Sequence, residues 1–259
     1  MSKTIPPIEI PADTEWVKRI KLQSKLLTQF WGHPIYIGAT VLLPKGYDDN
    51  PEVYYPVIYV QGHFSLDAPF GFKTERDPPG RKSWARRREE YSAKGLHMAE
   101  PPADAEFNGA QYNVESGYEF YHSWIADEFP RAIAVTFQHP IPYFDDSYGI
   151  NSVSAGPDGD AILHELIPHI EEHFRVIRQP YARVLTECST AGWGSLALQV
   201  YHPDFFGGAW MFCPDPVDLR RYCGAVNLYE DKNALLWMED RAGSFPNAIV
   251  FAVRIVRSG

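Results

Sequence analysis

Six short apolar runs along the chain predict the strands of a buried sheet. Each run is rich in β-branched, aliphatic or aromatic residues and is bounded by polar or turn-forming residues. Short runs that do not alternate between apolar and polar residues are typical of strands covered on both faces, as in a parallel sheet. The runs are Ile35–Leu43, Pro56–Val60, Arg131–Phe137, Arg183–Cys188, Gly208–Cys213 and Ala248–Val256.

Two segments between these runs are predicted to be helices, and the first has the spacing of an amphipathic helix. In residues 158–174 apolar side chains recur at helical spacing, and Asp158 stands at the expected N-cap. Residues Thr190–Tyr201 form the second predicted helix. Strands that alternate with helices build right-handed βαβ units, so the sequence predicts an α/β fold with a mostly parallel sheet and helices on both faces.

The length of 259 residues is that of one domain, and we expect a single domain over residues 1–259. The Pro-rich residues 1–15 are expected to form a loose arm. Residues 65–118 contain many Pro, Gly and charged residues. They are therefore expected to form a loop-rich excursion outside the core sheet.

Charge and cysteine content argue against several function classes. The 24 Lys and Arg and 33 Asp and Glu give a net charge of −9, which repels nucleic acids and anionic lipid. No apolar stretch is long enough for a membrane span and no signal peptide is visible, so we expect a cytoplasmic protein without a membrane partner. The cysteines show neither a disulfide framework nor metal-ligand spacing, and we expect Cys188 and Cys213, which end apolar runs, to be buried.

A serine stands where a predicted strand runs directly into a predicted helix. A sharp turn at this point would expose the Ser189 hydroxyl and direct the helix N-terminus toward it, where a negatively charged oxygen is stabilised. Such a turn is the nucleophile elbow, G-x-S-x-G, whose glycines allow strand and helix to pass closely. Here Glu187 and Ala191 occupy the two glycine positions, and the Glu187 carboxylate should disfavour a developing anion.

A second segment suits the same chemistry. Gln61-Gly62-His63-Phe64 follows the predicted strand Pro56–Val60. In hydrolases with a nucleophile elbow, the second oxyanion donor is a backbone N–H in the loop after an early strand. The stretches that extend this pattern are TVLLPKGYD (40–48), YPVIYVQGHF (55–64), FQHPIPYFDDSYGINS (137–152), GDAILHELIPHIEEHFR (159–175) and STAGWGSLALQVYHPDFFGGAW (189–210).

Together these stretches resemble the "Putative esterase" family of α/β-hydrolases, relatives of enterochelin esterases, feruloyl esterases and S-formylglutathione hydrolase. The resemblance covers most of residues 35–220 in the family's order. It implies that Ser189 is the nucleophile and that the N–H groups of Thr190 and of the His63–Phe64 segment form the oxyanion hole. It also implies a small-molecule ester as substrate, with no cofactor and no metal.

The histidine that should activate Ser189 is not evident. In this fold the catalytic residues follow the order Ser, Asp or Glu, then His. After Ser189 only His202 remains, at the end of the predicted helix, where it is not expected to reach the hydroxyl. Asp215 and Asp218 are the candidate acids, and His139, which ends a predicted strand, is an outsider for the base.

Two functions therefore stay open for an esterase-family chain that we expect to be C-terminally incomplete. The first is a serine-type carboxylic ester hydrolase that forms an acyl-enzyme on Ser189, with its activity placed in question by the missing histidine. The alternative is a non-catalytic α/β-hydrolase scaffold that binds a small molecule or a protein partner. Three aromatic residues fit either an acyl or aryl pocket or the core, and the oligomeric state is left open. These residues are Tyr143, Phe144 and Trp193.

Overall fold

The computed structural model describes residues 11–62, 67–76, 116–142, 147–215 and 217. The strands within these ranges are β1 Val17–Ser24, β2 Ile35–Leu42, β3 Val57–Val60, β4 Ile133–Gln138, β5 Asn151–Ser152, β6 Gly156–Pro157, β7 Arg183–Cys188 and β8 Gly208–Pro214. The α-helices are α1 Lys25–Trp31, α2 Gly117–Ile125, α3 Asp158–Ala161, α4 Ile167–His173 and α5 Ser189–Tyr201. A π-helical turn, Ile162–Leu166, joins α3 to α4, and short 3₁₀ turns lie at Pro69–Gly71 and Pro180–Ala182.

Six of these strands form one twisted sheet in the order β1-β2-β4-β3-β7-β8. Strand β2 is antiparallel to both β1 and β4. Strands β4, β3, β7 and β8 are parallel, with Val57 of β3 opposite Ile133 of β4 and Arg183 of β7. The predicted α/β class is confirmed. The parallel order places the residues that follow β4, β3 and β7 along one edge of the sheet.

Apolar side chains cover both faces of the sheet. On one face Ile162, Leu166 and Ile170 from the helical segment 158–173 pack against a cluster that includes Tyr59 and Phe137. Trp124 of α2 belongs to a second cluster, with Leu42 and Ala134, on the other face. Residues adjacent in a strand point to opposite faces, which explains why Val41 and Leu42 belong to different clusters. Each fully buried large side chain contributes about 1.5–3 kcal/mol.

A buried ion pair ties α4 to the beginning of β7. The Arg183 guanidinium donates to both carboxylate oxygens of Glu171, at 2.7 and 3.0 Å. Burial raises the pKa of the neighbouring Tyr59 hydroxyl well above its ordinary value, and the Glu171 carboxylate adds to this shift. The pair therefore fixes the strand that leads to Ser189 through a charged contact inside the protein.

Three elements of the described sheet and its helices were not predicted from the sequence, namely β1, α1 and α2. Strand β1 (VKRIKLQS) mixes apolar and charged residues because it lies at an edge of the sheet and is only partly buried. Helix α1 is short, and a residue distant in the sequence binds its N-terminus. Glu165 Oε1 accepts hydrogen bonds from the N–H groups of Lys25 and Leu26. Local cap signals were also present and were not recognised: the Ser24 hydroxyl accepts the Leu27 N–H at 3.0 Å, and Gly32 ends the helix at a φ of +72°.

The prediction that Asp158 is the N-cap is wrong by one residue. The N-cap is Pro157, and Asp158 is the first helical residue, with its side chain fully buried. The predicted strand Ala248–Val256 lies outside the described residues, as do most of the predicted excursion 65–118 and residues 1–10 of the predicted arm. The single-domain organisation stays a prediction.

Candidate active site

Ser189 occupies a strained turn between β7 and α5. Its φ angle is +54°, in the left-handed region where the Cβ of a non-glycine residue crowds the backbone. Ser189 is exposed, and α5 begins at this residue without a side chain that caps its N-terminus. Because the first N–H groups of a helix have no intrahelical acceptor, the exposed hydroxyl lies beside backbone donors suited to an anion.

The close approach of strand and helix at this turn falls at Gly192. A Cβ at Gly192 would lie 3.1 Å from the carbonyl oxygen of Glu187 and 3.4 Å from that of Phe212. Ala191, which occupies the second glycine position of the simple elbow pattern, is 5% exposed, so its methyl group fits. The glycine that this elbow requires is therefore one residue later than the pattern places it.

Asp215 contacts the elbow from the end of β8. Its Oδ1 accepts a hydrogen bond from Ser189 Oγ at 3.4 Å, and its Oδ2 accepts one from Thr190 Oγ1 at 2.9 Å. The Asp215 backbone N–H also donates to the Ser189 carbonyl at 3.2 Å, one residue beyond the parallel bridge between Ser189 and Pro214. This candidate acid thus contacts Ser189, the candidate nucleophile, directly.

His139, the outsider for the base, follows β4 and is only 3% exposed. Its Nδ1 lies 2.9 Å from Ser147 Oγ, and the same oxygen accepts the Gly149 N–H at 3.1 Å. In the part of the chain that the structure describes, no histidine nitrogen is hydrogen-bonded to Ser189 Oγ. Five further predicted site and pocket residues fall outside that part, and their roles stay predictions: His63, Phe64, Asp218, Tyr143 and Phe144.

Comparison with known families connects this elbow to a group of enzymes. Residues 119–248 match the family model described as "Putative esterase", and this match spans just over half of the 259 residues. The chain belongs to this esterase family. The resemblance seen in the sequence is thereby confirmed, and the matched region of the esterase-family chain contains both Ser189 and Asp215.

Three solved structures illustrate what the chain is similar to. A ferulic acid esterase is 20% identical over 74% of this chain and 58% of its own length, with a TM-score of 0.43. An S-formylglutathione hydrolase from Agrobacterium tumefaciens is 14% identical over 89% of this chain and 74% of its own, with a TM-score of 0.46. The enterochelin esterase from Shigella flexneri is 13% identical over 90% of this chain and 42% of its own, with a TM-score of 0.45. The chain thus spans less than two thirds of the first and third of these proteins, and no curated protein sequence matches it.

An aromatic pair of the esterase-family chain stands one helical turn after Ser189. Trp193 is four residues beyond Ser189 in α5, and the Trp193 and Tyr148 rings form a T-shaped pair with centroids 5.6 Å apart. Tyr148 has a φ of +60° and is 40% exposed. A Cβ at Gly194 would lie 2.6 Å from the Tyr148 carbonyl oxygen, so the loop rests directly on α5. The sequence analysis missed Tyr148, although the tripeptide Ser-Tyr-Gly is a turn signal.

Gln61 follows β3, begins the segment Gln61-Gly62-His63-Phe64 that the sequence singled out, and lies beneath the loop that carries Tyr148. It is 2% exposed, and within the described ranges neither its Oε1 nor its Nε2 has a hydrogen-bond partner. The amide lies under Gly149, whose φ is +63° and where a Cβ would come within 2.8 Å of Gln61 Nε2. The signal in the sequence was the position of Gln61 directly after a predicted strand, because Gln61, His139 and Ser189 all follow parallel strands of the sheet.

The prediction that Cys188 and Cys213 are buried is wrong, because both are exposed free thiols. The reason is that both lie where β7 and β8 end, beyond the covered part of the sheet. Partial burial raises the pKa of the Cys188 thiol, and the Glu187 carboxylate raises it further. Glu187 Oε1 also accepts the Cys188 N–H at 3.1 Å, which keeps this negative charge close to the elbow.

Neither a membrane-spanning helix nor a metal centre is found in the described ranges. There, every helix is too short or too polar to cross a bilayer. No three His, Cys, Asp or Glu side chains in those ranges are grouped so that they could hold a metal ion. The expectation of a site without metal or cofactor stays a prediction.

Proposed function

We propose that this chain is a serine-type carboxylic ester hydrolase that forms an acyl-enzyme on Ser189. The observation that carries the proposal is the positive φ of an exposed serine at the uncapped beginning of a helix. Strained backbone at a non-glycine residue persists only where the surrounding structure enforces it, and such residues are concentrated at active sites. Membership of the esterase family supports the same reaction.

The reaction would proceed in two displacements at the ester carbonyl. Ser189 Oγ attacks the carbonyl carbon and loses its proton, and the alcohol leaves with a proton as the acyl-enzyme forms. Water then attacks the acyl carbonyl, releases the acid and returns a proton to Ser189. The N–H of Thr190 is the proposed first donor to the oxyanion, and the His63–Phe64 segment is the proposed second donor.

The proton acceptor sets the rate that we expect. A positioned general base contributes about 10²- to 10⁴-fold to such a step. His139 is buried with its Nδ1 at Ser147, and Ser189 Oγ is held by a carboxylate. On these contacts alone we expect slow turnover of activated esters rather than the rate of a complete triad.

The test is labelling and hydrolysis by the purified chain. Wild type should react with a fluorophosphonate probe at Ser189 and should hydrolyse p-nitrophenyl acetate, whereas Ser189→Ala should do neither. Ser154→Ala, which removes an exposed hydroxyl in the turn between β5 and β6, is the matched control and should behave as wild type. Equal rates for wild type and Ser189→Ala would refute the proposal.

One contact favours a second candidate function. In this alternative the chain is a non-catalytic scaffold that binds a small molecule or a protein partner. Asp215 rather than an imidazole holds the Ser189 hydroxyl, and a serine without a base is a poor nucleophile. This alternative predicts that wild type and Ser189→Ala bind a ligand equally well and that neither is labelled by the fluorophosphonate. Labelling at Ser189 would therefore exclude it.

A further inference from the structure

Negative charge surrounds the proposed nucleophile of this chain. Glu187 lies two residues before Ser189, and Asp215 is hydrogen-bonded to Ser189 and Thr190. Neither carboxylate belongs to any of the ion pairs formed between described residues. Hydrolysis of a neutral ester would therefore place a new negative charge, the oxyanion, beside existing ones.

This arrangement penalises the transition state of a neutral substrate. Like charges a few ångströms apart repel each other, and the repulsion is weakened but not abolished by solvent near a protein surface. The helix N-terminus offsets part of the penalty, because its dipole favours an anion. A substrate that carries its own positive charge would offset the remainder, and the overall charge of −9 attracts such a substrate from solution.

The same site presents aromatic surface on which a cation can rest. Trp193 follows Ser189 by four residues in α5, and Tyr148, which is 40% exposed, forms a T-shaped pair with it, with ring centroids 5.6 Å apart. The faces of Trp and Tyr rings attract ammonium groups, Trp most strongly. The Asp215 carboxylate at Ser189 and the aromatic pair one turn further along α5 thus provide both kinds of group that bind an organic cation.

We propose that this site selects esters whose acyl or alcohol part carries an ammonium group, and that Asp215 is the specificity-determining residue. The inference rests on the proposed hydrolase function and adds the substrate class. The Asp215 carboxylate attracts the ammonium group of the bound ester and repels the carboxylate of an anionic ester. Its hydrogen bonds to Ser189 and Thr190 keep that charge next to the reacting carbonyl.

The first experiment compares acetylcholine with its neutral isostere dimethylbutyl acetate, in which carbon replaces the nitrogen. Wild type should show the higher kcat/KM for the cation, and Asp215→Asn, which keeps the shape and the acceptor atom, should reduce that preference about five-fold, as expected for one charge near a protein surface. High salt should reduce it in wild type. Asp204→Asn, which removes an exposed carboxylate in the loop after α5, should leave it unchanged.

A second experiment separates failure of this inference from failure of the proposed function. In the Ser189→Ala protein, calorimetry measures binding of the methyl ketone in which a methylene group replaces the ester oxygen of acetylcholine, and of its neutral carbon isostere. Tighter binding of the cationic ketone, weakened by adding Asp215→Asn, supports the inference even if no ester is hydrolysed. Equal binding of the two ketones, or equal kcat/KM for the two esters, overturns it. Hydrolysis that persists in Ser189→Ala overturns the proposed function instead.

Discussion

Replacing Ser189 by glycine should make the protein more stable than replacing it by alanine. Both substitutions remove the hydroxyl and its 3.4 Å hydrogen bond to Asp215. The difference between the two variants therefore reports on the backbone alone. At a φ of +54° alanine keeps the Cβ that crowds the neighbouring peptide, and glycine has no Cβ.

The size of the difference follows from two opposing contributions to the free energy of unfolding. A Cβ in the left-handed region costs about 1–2 kcal/mol. Glycine, in turn, loses more backbone freedom on folding, which costs about 0.5–1 kcal/mol. We expect Ser189→Gly to exceed Ser189→Ala by about 0.5–1 kcal/mol, the reverse of the usual order of these residues.

Urea denaturation of the two variants measures this difference in the free energy of unfolding. The difference corresponds to about 1–4 °C in melting temperature. The control is Val200, an exposed residue in the last turn of α5 (63% exposed). There Val200→Gly should be less stable than Val200→Ala by about 0.5–1 kcal/mol. If Ser189→Gly is less stable than Ser189→Ala, as expected for the corresponding pair at residue 200, the inference that the backbone at residue 189 is strained is refuted.

Three further substitutions test the surroundings of the elbow. Gly194→Ala places a methyl carbon 2.6 Å from the Tyr148 carbonyl oxygen and should cost about 1–3 kcal/mol; an unchanged urea midpoint would contradict this packing. Glu171→Gln leaves the buried Arg183 guanidinium without its charged partner. It should lower the free energy of unfolding by about 3–5 kcal/mol in the same assay. A loss typical of surface sites would contradict the burial of this ion pair. The Glu187 carboxylate contributes to the raised pKa of the Cys188 thiol. Glu187→Gln should therefore speed alkylation of that thiol by iodoacetamide at mildly alkaline pH. An unchanged alkylation rate, measured by peptide mass spectrometry, would contradict that contribution.

The sequence predicted five strands within the described residues. The side chains of β2, β3, β4 and β7 are mostly buried, whereas β8 is apolar in sequence and yet half-buried or exposed. Strands β2, β3, β4, β7 and β8 all coincide with apolar runs to within one or two residues. Strand β1 was missed because five of its eight residues are lysine, arginine, glutamine or serine, which suits a strand with only β2 beside it. Helix α2 was missed because its buried anchor, Trp124, lies among polar and aromatic residues, and its Nε1–H donates to the distant Leu43 carbonyl at 2.8 Å.

Only those features of the site that depend on residues close together in the sequence could be predicted. The junction of an apolar strand with a helix located Ser189. Its contact with Asp215 depends on the parallel register of β7 and β8, in which Cys188 lies opposite Phe212 and Ser189 bridges Pro214. No spacing rule predicts a contact across 26 residues, because the length of the connection between two parallel strands varies freely.

The elbow explains why one of three polar residues along the sheet edge is exposed while the other two are buried. Gln61 and His139 follow β3 and β4 and lie beneath the loop at residues 147–149, which rests on α5 at Gly194. Ser189 follows the neighbouring strand β7, but its positive φ turns the chain into α5 at once, so its side chain stays at the surface. Because a relaxed φ at residue 189 would carry the chain on in the strand direction, the backbone strain itself keeps the hydroxyl accessible. The two buried side chains, with His139 bonded to Ser147 and Gln61 packed under Gly149, support the loop that holds this arrangement in place.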